Sequence, residues 1–179
     1  MMETFEFSVI ASGLDPAAED FEARFYDHGC DDALVSFQKG HVIVDFAREA
    51  ESFGDAVASA LENVAATGAR IDRLEPDPLV SLSDIAKRAE MTRAAISNYY
   101  RGCRGEGFPP PVARVTSDSP LWEWATVARW LACNGKLAPS VAVEAELVRQ
   151  ANLAVAGGEV HIGPMLRQRA TEYEETLCA

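Results

Sequence analysis

The sequence predicts an α+β protein made of two dissimilar parts, and three observations carry that prediction. Residues 4–9, Thr-Phe-Glu-Phe-Ser-Val, alternate apolar and polar side chains, the period of a half-buried strand. Two serines stand three residues ahead of an aspartate, Ser52 before Asp55 and Ser81 before Asp84, the spacing with which a helix closes its own first turn. Charge is segregated along the chain. Residues 1–79 hold 5 Lys/Arg and 17 Asp/Glu, whereas residues 87–114 hold 6 and 2, within a formal net charge of −12.

The bulk properties narrow the function classes. Over 179 residues, 48% hydrophobic and 25% charged content is that of a globular chain rather than a disordered one. No apolar run reaches the roughly 20 residues of a membrane span, so no membrane partner is expected. The start, Met1-Met2-Glu3-Thr4-Phe5-Glu6, lacks the basic residues and apolar core of a signal peptide, and a cytoplasmic location is the expectation. Cys30, Cys103, Cys133 and Cys178 are scattered without a Cys-x-x-Cys pair, so neither a disulfide framework nor a zinc ribbon is expected. His28-Gly29-Cys30-Asp31-Asp32 fits a helix end followed by a turn better than a metal site. With no Ser/His/Asp order, metal motif or Gly-rich phosphate loop, no catalytic residue and no cofactor are assigned, and an enzyme is not expected.

The first part reads, in order, as follows. After the strand at residues 4–9, Asp15-Pro16 supplies a cap and first helical turn, and Phe21 and Phe25 share one face of the helix. Gly29 ends it in a left-handed conformation. Residues 33–37 and 42–46 flank the turn Gln38-Lys39-Gly40-His41, as a hairpin does. From Ser52 a second helix lines up Phe53, Val57, Leu61 and Val64 and stops at Gly68, and residues 70–74 form a short last strand. This strand-helix-strand-strand-helix-strand order over residues 1–76 resembles the ferredoxin-like fold. That fold serves many functions; a dimerisation unit, a small-ligand sensor and an acidic docking surface for a protein all stay open. Glu75-Pro76-Asp77-Pro78 is a stiff linker, because each proline discourages helix in the residue before it.

The informative stretch is residues 81–102. Ser81 and Asp84 start a helix whose inner face carries Ile85 and Ala89, and Ala86 is small enough for a second helix to cross closely. Thr92 caps that second helix, Ile96 and Tyr99 point back to the core, and Gly102 stops it. Arg93, Ala94, Ser97, Asn98 and Arg101 are left outside. Arg holds a guanine edge with two hydrogen bonds and Asn does the same for adenine. The hydroxyls of Thr92 and Ser97 suit phosphate oxygens, while Lys87 and Arg88 would flank the backbone and Arg104 extends the basic stretch. This is the chemistry of a recognition helix in a major groove.

With its continuation, the stretch resembles the winged helix-turn-helix of MerR-type and excisionase-type proteins over residues 79–133. The motifs are Phe108-Pro109-Pro110-Pro111-Val112-Ala113-Arg114, then Leu121-Trp122-Glu123-Trp124 and a helix ending in Trp130-Leu131. The resemblance implies that residues 112–115 and 121–124 pair as a wing and that Arg114 touches DNA backbone or minor groove. Trp122, Trp124 and Trp130 are expected in the core. Two positions depart from the family: Glu90 stands where the turn usually has Gly, and Asp118 occupies the wing tip in place of Lys or Arg. Residues 138–179 form a helical segment, with helices at 141–156 and about 165–177 and a narrow stripe of Val143, Leu147 and Ala151.

The implied function is that of a sequence-specific DNA-binding transcriptional regulator, repressor-like, on double-stranded DNA. A homodimer is expected, since one recognition helix contacts few base pairs and two half-sites are needed for affinity near ~10⁻⁸ M. The alternative is an interaction protein, an antitoxin or adaptor, whose acidic N-terminal part holds a basic protein partner.

Overall fold

Alternation in the first third becomes an antiparallel sheet of four strands. The computed structural model describes all 179 residues, and the protein is α+β, with seven helices in addition to this sheet. Strand β1 (Glu3–Ser12) turns Phe7, Val9 and Ala11 inward, and β3 (His41–Ala50) does the same with Val42, Val44 and Phe46. Helix α1 (Phe21–Asp27) follows β1, and β2 (Ala33–Gln38) joins β3 through Lys39 and Gly40. Both turn residues have positive φ, 52° and 81°, the requirement of the tight hairpin whose twist matches its strands. Helix α2 (Phe53–Ala66) and β4 (Arg70–Glu75) complete the unit. The strand order is β2-β3-β1-β4, every pair antiparallel.

Two compact units are present, the first comprising residues 1–76 and 147–171, the second residues 77–146 and 172–179. In the second unit, β5 (Leu79–Val80) precedes helices α3 (Leu82–Arg88) and α4 (Arg93–Tyr100), and β6 (Trp122–Glu123) pairs with β5. Helix α5 (Trp124–Cys133) follows, then α6 (Pro139–Ala156) and α7 (Gly163–Thr176). In the first unit, Leu147, Ala151 and Leu166 of these last helices are buried, and Gly54 lets Leu166 and Leu147 approach α2 closely. No helix is long and apolar enough to cross a membrane.

The first unit is tied together by a buried arginine. Arg48 follows the inward parity of Val42, Val44 and Phe46 and is 7% exposed. Its guanidinium donates to both carboxylate oxygens of Asp32 (2.8 and 2.8 Å), to the Gly29 carbonyl (2.7 Å), to Asn63 Oδ1 (2.9 Å) and to Ser59 Oγ (3.1 Å). All five donors of the side chain are thereby used, which is the condition for keeping such a charge out of water. The network joins the α1–β2 connection to α2 across β3.

Three expectations are corrected. Residues 15–20 form turns, and α1 begins only at Phe21, because Asp15 caps a local turn instead: its carboxylate accepts from Ala17 N–H and its carbonyl from Ala18 N–H. The expected wing shrinks to one bridge, Ala113 opposite Leu121. Three consecutive prolines before it have no N–H to give, Arg114 leaves the extended region at φ 50°, and Trp124 opens α5 rather than closing a strand. The cysteines also pair where spacing implied none: Cys133 at the end of α5 is bonded to Cys178, with Cα atoms 5.4 Å apart. Linear spacing does not register residues 45 apart that the fold brings together.

Arg48→Ala leaves Asp32, Asn63 and the Gly29 carbonyl without their donor, and is expected to lower unfolding free energy by about 3 kcal/mol. Urea denaturation with an unchanged slope checks this; a loss well under 1 kcal/mol would show that the network adds nothing.

Candidate nucleic-acid interface

The segment from Ser81 to Arg101 is held at each of its helix ends. Ser81 Oγ accepts from Asp84 N–H (3.2 Å), and the Asp84 carboxylate accepts from Ser81 N–H (2.9 Å), so the capping box is closed in both directions. The Ser81 N–H, then the Ser81 hydroxyl, hold the Asp84 carboxyl below its ordinary range; partial burial opposes them, and the Arg88 and Lys87 charges add smaller lowering effects. After α3, Glu90 takes φ 53°, a left-handed conformation that costs a non-glycine residue about 1–2 kcal/mol. Met91 N–H reaches back to the Ala86 carbonyl at 2.9 Å and reverses the chain. Thr92 then caps α4, its Oγ1 accepting from Ala95 N–H at 3.1 Å.

The back of α4 is fully committed. Ile96 is completely buried, and Tyr99 sits with Trp130 (5.1 Å between ring centroids) and Phe108 (6.4 Å). Both belong to a core with Ile85, Ala89, Val127 and Leu131. The loop after α4 wraps the same aromatic group: Trp130 Nε1 donates to the Glu106 carbonyl and Trp122 Nε1 to the Pro109 carbonyl, each at 2.9 Å. Gly105, at φ 66°, passes so close to Trp130 that a Cβ would lie 2.9 Å from its ring. The Trp residues are therefore in the core or against it, as expected; Trp122 and Trp124 are buried, Trp130 half-buried.

Around the rest of the helix, Arg93, Ala94 and Arg101 are exposed and Ser97 and Asn98 are half-buried. Arg101 Nη2 donates to Asn98 Oδ1 at 3.2 Å, so the two side chains recommended by their base-pairing chemistry stand side by side. Thr92, Lys87, Arg104 and Arg114 are exposed as well. Arg88 is the exception. Its Nη1 donates to the Asp77 carbonyl at 2.9 Å and its guanidinium lies over the Trp124 ring, 5.4 Å from the centroid, so it serves the core of its own unit. It is expected with Lys87 beside the DNA backbone; the indole beneath it is the reason it folds inward instead. Glu90 and Asp118 are exposed at the positions where they add negative charge.

The remaining chemically distinctive groups lie elsewhere. Cys103 is an exposed thiol in the loop after α4, and Cys30 is buried, its thiol pushed up to about 11 by burial. No group of three or more His, Cys, Asp or Glu side chains is arranged to hold a metal ion. No protein-family model matches the chain, and neither a curated protein nor a solved structure matches it.

Two substitutions separate the parts of this segment. Asp84→Ala is expected to cost about 1 kcal/mol at neutral pH. Because the folded carboxyl titrates below its unfolded value, that contribution is complete above about pH 4 and disappears as pH falls through the lowered folded value. The wild-type and Asp84→Ala unfolding curves should thus converge in acid; a gap that persists there contradicts the capping account. Glu90→Gly relieves the left-handed backbone and should leave thermal stability unchanged or raise it by up to about 1 kcal/mol.

Proposed function

We propose that this protein is a sequence-specific DNA-binding transcriptional regulator of the repressor kind, working as a homodimer on double-stranded DNA, with α4 as its major-groove reading helix. In this reading residues 79–133 form a helix-turn-helix of the winged, MerR- or excisionase-like kind with a much reduced wing, and residues 1–76 a ferredoxin-like module. The element order and the β2-β3-β1-β4 sheet support the second assignment. The observation that carries the function is the two-sidedness of α4: Ile96 and Tyr99 are locked into the core, while Arg93 at its start and Arg101 just past its end are exposed and Asn98, half-buried, lies away from the core face. A short helix presenting Arg93 from its first turn and the Asn98–Arg101 pair from its last can meet base edges, and six basic residues against two acidic ones in residues 87–114 supply the local attraction to phosphates. The carboxylates of residues 1–79 keep the first unit away from phosphates. The same carboxylates favour a second reading, an antitoxin or adaptor that holds a basic protein; as a pure adaptor the chain would retard no duplex.

Selection of bound duplexes from a random-sequence library, followed by gel retardation, tests the proposal. One sequence class is expected to be enriched, and Arg93→Ala should weaken it by about 1–3 kcal/mol while leaving binding to random DNA nearly unchanged. Equal losses on both would assign Arg93 to phosphate contact. No enrichment and no retardation would overturn the reading.

A further inference from the structure

The two edges of the four-stranded sheet are treated differently. On β4, the Asn152 side chain behaves as a short piece of strand: its Oδ1 accepts from Leu74 N–H at 2.7 Å and its Nδ2 donates to the Leu74 carbonyl at 3.1 Å. On β2 the opposite holds. Ala47 N–H donates to the Asp32 carbonyl at 3.1 Å, one step beyond the ladder in which Ala33 faces Phe46. Hydrogen-bonded and non-bonded pairs alternate along antiparallel strands. Leu34 and Ser36 therefore turn their backbone groups to β3, and Val35 and Phe37 turn theirs outward. The strand, Ala-Leu-Val-Ser-Phe-Gln, holds no charge, no proline and no bulge, the usual devices that keep edges apart. Leu34, Phe37 and the neighbouring Tyr26 are 70%, 45% and 68% exposed.

We propose that a second copy of this chain pairs antiparallel with β2 about a twofold axis through Val35, joining two four-stranded sheets into one of eight strands. Three features select that register. Val35 faces its own counterpart, so its outward N–H and C=O bond to those of the second copy, and the outward N–H of Phe37 meets the carbonyl of the second copy's Ala33. Each Phe37 lies opposite an Ala33, large against small, beside a groove of ≈ 320 Å³ whose lining includes Glu22, Tyr26, Cys30, Ala33, Leu34 and Val35. The charges in the turns at the two ends of the strand also come to the same end of the pair, Asp31 of one copy near Lys39 of the other, twice. A register centred on Ser36 keeps a ladder but sets Asp31 against His41 and Lys39 against Ala33, losing both charge pairs. This interface supplies the contact for the homodimer proposed above and rests on that part of the reading alone.

Sedimentation velocity on the full chain over a wide concentration range is the test. The wild type is expected to sediment as two chains. Asp31→Lys and Lys39→Glu each turn two attractive pairs into two repulsive ones and should weaken association by roughly tenfold. The double exchange D31K/K39E should restore it to within about threefold of wild type. Val35→Pro removes an N–H that the isolated chain does not use; a variant with the wild-type circular dichroism spectrum should sediment as one chain. A single-chain wild type, reversals without effect, a double exchange no better than the singles, or a folded Val35→Pro that remains paired would each overturn the interface. Retardation of duplex DNA is read separately, so a chain that binds DNA without pairing refutes this interface only, and a paired chain that binds no DNA refutes the regulator reading only.

Discussion

The candidate interface depends on how α4 is seated. Eight residues of helix are too few to persist alone, because nucleation costs more than so few hydrogen bonds return. The segment is helical because Thr92 satisfies its first turn and because Ile96 and Tyr99 are buried against α3 and α5. The same burial fixes the rotation of α4 about its axis. With Tyr99 set against Phe108 and Trp130 and Ile96 buried beside it, Arg93 and Arg101 at the two ends of the helix stay exposed. The loop that follows cannot relax this arrangement, since Gly105 passes within van der Waals range of the Trp130 ring and the Trp130 indole bonds to the Glu106 carbonyl. Stability and presentation thus have one cause.

In the first unit, a polar cluster has the corresponding place. A buried guanidinium adds little net stability against a well-packed apolar substitute, yet it has a directional demand that an apolar group lacks. Arg48 is satisfied only if Asp32, Gly29, Ser59 and Asn63 stand where they do. It therefore sets the position of the connection leading into β2, the strand whose backbone is left open, while Asn152 covers the other edge. A chain that closes one sheet edge with a side-chain amide and leaves the other uncharged is built unevenly, and that unevenness is what the proposed pairing at β2 rests on.

Much of this was legible in the residues themselves. Ser81 with Asp84, and Thr92 before Arg93, state their caps locally, since the groups involved lie within one turn. Glu90 stands where the turn usually has Gly, and it has the positive φ that the position requires. Arg48 is legible too, two residues on in the parity of Val42, Val44 and Phe46. What escaped depends on distant contacts. The pairing of β6 with β5 rather than with residues 112–115 joins segments about forty residues apart, and Arg88 turns inward because of an indole on α5. The Cys133–Cys178 bond and the strand-like amide of Asn152 likewise join elements that no local pattern relates.

The most direct measurement of the central claim is an amide NMR titration of the isotope-labelled full chain with a duplex drawn from the selection. If α4 enters a groove, the largest shifts and the broadening fall on residues 92–101, with smaller ones at Lys87 and Arg104, and the amides of residues 1–76 stay in place apart from any change in pairing at β2. Shifts confined to the first unit, or a spectrum unaltered by saturating DNA, would contradict the account.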